Sequence, residues 1–266
     1  MESIPGNIIK IFLRDIYIFI NFRHRHLMND LHLILPHSKR ESKFDDKSSL
    51  FQLNELAELN SCTHTLFLET RKPDDLYLWL AKCPSGPSVR FHVENIHTLD
   101  ELAFAGNCMI GSRPLLSFDS SLSQSEHGKV MQDLLTAVFG TPLSCRKARP
   151  YYDHVFQFGV ADGRIWFRNY QIVDNIEGAQ LQVNGMSLVE IGPRFVLNPV
   201  KLFAGSFGGA TIWSNENFKS SASIRADSKR SMAGLHMKRV VSHENTNIRK
   251  QQSQIDRSDL EKVFDN

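Results

Sequence analysis

Residues 153–172 read "DHVFQFGVADGRIWFRNYQI". Two alternating runs flank Asp162-Gly163, a pair suited to the positive φ angles of a tight hairpin turn. Side chains alternate along a strand, so Arg164, Trp166, Arg168 and Tyr170 share one face of the second arm. Ile165 and Phe167 point to the other. A chain that contains this hairpin is committed to an antiparallel sheet with one apolar face to cover and one cationic, aromatic face.

Helical spacing supplies the cover. Leu27, Met28, Leu31, Ile34 and Leu35 recur after a possible cap at Asn21, and Pro36 stops them. Val130, Met131, Leu134, Leu135, Val138 and Phe139 recur before Gly140 and Pro142. Ser49 can cap a short helix with Leu50, Leu53, Leu56 and Ala57 on one side. "HTLFLE" (64–69) and "SVRFHVENI" (88–96) read as strands. "PDDLYLWLAK" (73–82) reads as a helix, with Pro73 in its first turn and Asp74 and Asp75 at the positive end of its dipole. Residues 8–22 read as a buried strand. Residues 97–125 read as a connector between two halves. The class is therefore α/β, and 266 residues with 41% hydrophobic content suffice for one large domain or two small ones.

"SLVEIGPRFVLNPVKLFAGSFGGATIW" (187–213) holds no helix, because an interior Pro199 would remove a hydrogen bond and clash. It reads as strand, kink at Gly192-Pro193, and strand again, with Pro199 at an edge or a bulge. Gly205 to Gly209 permit a tight turn.

Catalytic and metal chemistry find little support. Four cysteines, at 62, 83, 108 and 145, have no metal-ligand spacing and read as free thiols. "GNCMIGSR" (106–113) resembles a phosphate loop, but Ser112 occupies the lysine position. "GSFGG" does not centre its serine as a nucleophile elbow requires. "RHRH" with His32 and His37 sits among arginines that would repel a cation, so no metal is assigned. Lys10, Arg14 and Asp15 interrupt the apolar run at 8–22, which argues against a membrane span. No cofactor and no small-molecule substrate are expected.

Basic residues carry the functional signal. The candidates for RNA contact are Arg23, Arg25 and His26 with Lys39, Arg40 and Lys43; Arg146, Lys147 and Arg149; the strand residues Arg164, Trp166, Arg168 and Tyr170; and Arg113 and Arg194. Arginines interleaved with rings neutralise phosphates beside stacking platforms, as in RNA-binding sheets. A packed face with snorkelling arginines gives the same spacing. Fixed beyond the kink, Arg194 could take a phosphate bidentately or anchor an internal carboxylate. From 219 to 250, eight Lys or Arg face two acids, an extended or partly helical basic tail with no core of its own.

"RHRHLMNDL", "LPHSKRESK", "LYLWLAKCPSGPSVRFHV", "NIHTLDELAFAGNCMIGSRPLLSF", "DHVFQFGVADGRIWFRNYQI" and "LVEIGPRFVLNPVKLFAGSFGG" together resemble the Brix-domain family over roughly residues 22–213, with Gly-Pro-Arg as its hallmark. The resemblance implies an α/β fold of two similar halves, about 22–118 and 127–213, related to anticodon-binding domains. It implies an atypical strand or extension at 1–21 and a basic, poorly ordered tail at 214–266. It also implies a non-enzymatic factor of the nucleus and nucleolus, required for large (60S) subunit biogenesis. Such a factor binds precursor rRNA and other pre-60S assembly factors, one of them largely helical, and no membrane. A protein-interaction scaffold with incidental RNA contact is the alternative. Family members precede the "RHLM" helix with a strand and a Ser-Arg-Gly turn; "RDIYIFI" stands in that place here, which leaves the pairing of the first strand open.

Overall fold

The computed structural model describes residues 9–15, 22–40, 50–72, 75–101, 104–174, 182–183 and 186–253. The chain divides into two units, Met1–Phe218 and Lys219–Asn266.

The first unit is one twelve-stranded sheet with helices. In chain order its first run is β1 (Ile9–Asp15), α1 (Phe22–Ile34), β2 (Ser38–Arg40), α2 (Gln52–Leu59), β3 (His64–Lys72), β4 (Asp75–Lys82) and β5 (Ser88–His97). The second run is β6 (Pro114–Phe118), a 3-10 turn (Ser120–Gln124), α3 (Glu126–Phe139), β7 (His154–Ala161), β8 (Arg164–Asp174), β9 (Gln182–Val183), β10 (Met186–Glu190), β11 (Arg194–Phe203) and β12 (Thr211–Ser214).

The two runs repeat one plan. β1 pairs parallel with β3 across a helical crossover, and β3–β4–β5 continue antiparallel. β6 pairs parallel with β7 across α3, and β7–β8–β11 continue antiparallel. β5 and β11 then join antiparallel and fuse the runs into one sheet. The first strand pairs with β3 over residues 9–15 and with β2 over residues 9–11.

One face of the sheet is covered by α1 and α3. Leu27, Met28 and Leu31 from α1 and Met131, Leu134, Leu135, Val138 and Phe139 from α3 are buried in one cluster with Leu66, Leu68, Leu78, Leu80, Phe91, Phe156, Phe158 and Phe167. Aromatic packing concentrates in the second run, where Phe139, Phe156, Phe158, Phe167 and Phe195 lie ring to ring. Phe167 and Phe195 oppose each other across β8 and β11 and stack at 4.6 Å. Such a pair adds about 1 kcal/mol beyond its buried area. α2 covers only one end of the opposite face, where Leu53 and Ala57 pack with Phe67, Trp79 and Phe207.

Three readings need correction or refinement. "PDDLYLWLAK" does not form a helix; its described part is β4. Leu78 and Leu80 face the main core while Trp79 faces the α2 cluster, so the strand is apolar on both sides. A doubly buried strand is a continuous apolar run that periodicity cannot distinguish from a helix. Pro73 and Asp74 lie outside the described residues. The stretch 97–125 also holds β6, a sheet strand, as well as connecting turns. Pro199 sits at a bulge, where the β5–β11 register shifts between Pro199 and Lys201. The hairpin is as the sequence reads: Ala161 pairs with Arg164, and Asp162 and Gly163 both take positive φ, +54° and +69°.

The second unit contains α4 (Ser221–Gln252), started by Ser220, whose hydroxyl accepts from the Ser223 N–H at 3.2 Å. None of its residues is buried, so the stretch has no core of its own. Its backbone is helical over Ser221–Gln252, the partly helical form of the basic tail without a core that its composition suggests.

Candidate nucleic-acid interface

β8 organises the site. One of its edges pairs with β7 along its length, while the other takes β11 at residues 165–167 and β10 at residues 170–174. β10 and β11 are therefore one strand broken at Ile191-Gly192-Pro193. Asn169, wholly buried, bridges the break: its backbone carbonyl accepts from Ile191 N–H at 2.9 Å, and its side-chain amide donates to the Gly192 carbonyl at 2.9 Å. Gly192 has φ +82°, and a Cβ there would lie 2.5 Å from a ring carbon of Phe104. Both the backbone conformation and the close approach demand glycine.

Beyond the break, Arg194 emerges on the face away from α1 and α3. Its guanidinium lies 5.8 Å from the Phe104 ring centre and 3.6 Å from Glu190 Oε2. Arg168 reaches the same oxygen at 3.4 Å. Arg164 pairs with Glu94 at 3.2 Å. Of the two roles open to Arg194, the internal carboxylate contact is present, and its side chain is still 32% exposed. A hollow of about 240 Å³ lies among Asn95, His97, Trp166, Arg168, Arg194 and Val196. In its lining, the Trp166 indole nitrogen and His97 Nδ1 are buried with no partner. Two guanidiniums and an indole N–H are donors only, the complement of an anion. Tyr170 continues the row on β8, opposite Glu190.

The same face extends into the first run, where the sequence reading placed no functional residue. Arg90 lies 4.1 Å from the Tyr77 ring centre and 5.3 Å from that of Trp79. Buried Glu69 accepts from Trp79 Nε1 at 3.0 Å and from Arg71 Nε at 3.0 Å. Burial lowers the Arg90 pKa, with Arg71 adding to the effect. Alternation in "SVRFHVENI" already sets Arg90, His92 and Glu94 on one face. Reading β4 as a helix hid Tyr77 and Trp79, their neighbours.

The other candidates lie elsewhere. Arg23 pairs with Glu101, and His26 Nδ1 lies 3.1 Å from Asp100, so acids at the end of the β5–β6 approach neutralise that end of α1. Arg25 lies over Phe22, 5.4 Å from its ring centre. Lys39 donates to the Asn60 carbonyl at 2.6 Å. Arg40, Arg146, Lys147 and Arg149 are exposed. Arg40 and Lys147 both act on the charge of His32, so these clusters, distant in sequence, are neighbours. Lys43 lies outside the described residues. Arg113 is only 7% exposed, and its guanidinium donates to the carbonyls of Thr141, Pro142 and Leu143 at 3.2, 2.9 and 3.3 Å. Those carbonyls follow the end of α3, so Arg113 holds a turn within the fold. Among the described residues no group of His, Cys, Asp and Glu could hold a metal, and no helix is long and apolar enough to cross a membrane.

Comparison with known proteins gives the lineage of this arrangement. The Brix domain family matches residues 19–201. The ribosome biogenesis protein brx1 of Schizosaccharomyces pombe is 45% identical over 245 residues, covering 92% of this chain and 82% of that protein. Ribosome biogenesis protein BRX1 of Saccharomyces cerevisiae is 47% identical over 217 residues, covering 80% and 75%. The human BRX1 homolog is 49% identical over 201 residues, and the match spans 54% of its length. A crystal structure of a probable ribosomal biogenesis protein from Aeropyrum pernix K1 is similar at TM-score 0.47 and 15% identity, covering 73% of this chain and 96% of that one.

Proposed function

Since the chain belongs to the Brix domain family, we propose that it is a ribosome assembly factor that binds precursor rRNA of the large subunit with the open sheet face of β8 and β11. The relatives' names, ribosome biogenesis protein, support the assembly role. The observation that carries the RNA reading is the hollow beside Trp166, where Arg168 and Arg194 converge next to an indole N–H that nothing in the fold satisfies. A phosphate there would meet two cations and a neutral donor, and the half-buried rings of Trp166 and Tyr170 lie alongside for bases to stack on. The chemistry is capture and orientation, with no bond made or broken. Other pre-60S assembly factors, including a largely helical one, are its protein partners in this reading, and the nucleolus is its place of work.

The test is binding of the full chain to a large-subunit precursor transcript between about 50 and 200 mM salt, where counterion release makes each neutralised phosphate visible in the slope. Affinity should fall steeply for the wild type. Arg168→Ala with Arg194→Ala should flatten the slope by about one phosphate contact or more. A flat line for the wild type would overturn the reading. It would favour instead a protein scaffold in which Glu94 and Glu190 keep the arginines engaged.

A further inference from the structure

A second cavity lies beside the Gly192 kink, walled largely by residues 106–112, the stretch that resembles a phosphate loop. It measures about 420 Å³ and is lined by Leu33, Phe104, Met109, Ile110, His154 and Ile191, among others. Three of these wall residues stay open to solvent although they are apolar: Leu33 at 51%, Met109 at 45% and Ile110 at 71%. Among its polar lining residues, which also include Asn107, Cys108 and Ser112, one is the opposite case. His154 is 2% exposed, and its Nε2 is buried without a partner.

The protonation of that ring is fixed by its neighbours. His154 Nδ1 lies 2.6 Å from Asp153 Oδ1 and 3.1 Å from Ser112 Oγ, while the Ser112 hydroxyl donates to the Met109 carbonyl at 2.8 Å. Both oxygens facing Nδ1 therefore accept, and Nδ1 carries the hydrogen. Nε2 of the neutral ring presents a lone pair. A buried acceptor beside the exposed Leu33, Met109 and Ile110 suits a ligand with an apolar surface and an N–H donor.

The surroundings decide which kind. Arg149 N–H donates to the Gly111 carbonyl at 2.7 Å, which ties the exposed Arg146–Arg149 loop to the cavity wall. Arg40 and Lys147 act on His32, one residue from Leu33. Apolar side chains at the rim and basic residues on the adjoining loops, beside the Asp153 carboxylate that accepts from Met109 N–H at 2.7 Å, match a base carried on a phosphate chain.

We propose that this cavity receives one unstacked RNA base, its edge N–H donating to His154 Nε2 and its flanking phosphates meeting Arg40, Lys147 and Arg149. The proposal rests on the RNA-binding reading but assigns a separate site with a separate signature. A protein ligand would bring an apolar side chain without needing the ring of cations.

The experiment uses the full chain with a 12-nucleotide single-stranded RNA carrying 2-aminopurine, and with a duplex of equal length. Base insertion should change the 2-aminopurine emission on binding. Ile110→Ala, at an exposed wall, and His154→Asn, which keeps a donor for Asp153 and removes the Nε2 acceptor, should each weaken single-strand binding about ten-fold, the order of one lost base contact. Duplex affinity should not move. Single-strand affinity equal to wild type in folded Ile110→Ala would overturn the proposal, as would equal losses for strand and duplex. Loss of co-purifying assembly factors with RNA binding intact would overturn it in favour of a protein side chain. If the wild type binds neither RNA, the RNA-binding reading itself fails, whatever the variants do.

Discussion

Asn169 holds Gly192 across the break between β10 and β11 through a single buried hydrogen bond of 2.9 Å. The site depends on it, because the break aims Arg194 at the carboxylate that Arg168 also uses. Asn169→Ala would leave the Gly192 carbonyl buried and unpaired, at a cost of about 1–3 kcal/mol. A fall in melting temperature of several degrees should accompany weaker RNA binding. A variant that melts like wild type would show that the break is held by other contacts.

Gly192→Ala faces two separate penalties, a positive φ and a Cβ 2.5 Å from Phe104. The double variant Gly192→Ala/Phe104→Ala removes only the second. Thermal unfolding should therefore show partial rescue by the Phe104 change, leaving about 1–2 kcal/mol from the left-handed backbone. Complete rescue would mean that the conformation itself costs nothing here.

Much of this architecture is legible in local sequence, and the reason differs by element. The β7–β8 hairpin was readable because its turn residues and its alternation agree. The kink was readable because Gly192-Pro193 and Pro199 exclude a helix. β4 was not, because burial on both faces erases alternation and leaves "LYLWLA" as an apolar run. The site suffered from the same blind spot. Basic residues could be listed from sequence, but their fates depend on partners far away in the chain: Arg113 on three carbonyls near residue 142, Arg168 and Arg194 on Glu190. Lysines and arginines that end up in the fold look like those that end up on its surface until the sheet is assembled.

Arg113 offers a clean separation of these fates. Arg113→Met keeps the aliphatic stem and removes every hydrogen bond to residues 141–143. The expected loss is about 2 kcal/mol, since hydrogen bonds from a charged donor are worth more than neutral ones. The salt slope of RNA binding should stay at its wild-type value below the melting point. A changed slope with unchanged stability would return Arg113 to the binding surface.

Acid should destabilise the fold through two buried imidazoles. Burial pushes His37 down to about 4, although its Nε2 donates to the Val138 carbonyl, and burial with nearby Lys82 pushes His64 down to about 4. In the unfolded chain both titrate near about 6.5. Above that pH neither state is protonated and there is no penalty. As pH falls from there toward 4, the unfolded chain takes up protons that the folded chain refuses, so stability drops, by on the order of 3 kcal/mol per histidine when complete. Melting temperature should therefore decline between pH 7.5 and 5. A flat profile over that range would mean that these rings are not buried as described.

Glu190 can separate a structural use of the sheet face from the proposed RNA-binding one, since one of its oxygens meets both Arg168 and Arg194. Glu190→Gln removes the charge and keeps the shape. If the arginines exist to meet phosphate, releasing them raises the local positive charge. Affinity for RNA should then rise by a few-fold at low salt and the salt slope should steepen by up to about one contact. Stability should fall by about 1 kcal/mol, the size of a partly exposed ion pair. If the arginines exist only to brace the β10–β11 break, the same change lowers stability and leaves RNA affinity where it was. Measured together on one variant, the two quantities move in opposite directions under the first account and not under the second. Under the first account the shared carboxylate is a restraint that holds both guanidiniums in place and yields them when a phosphate competes.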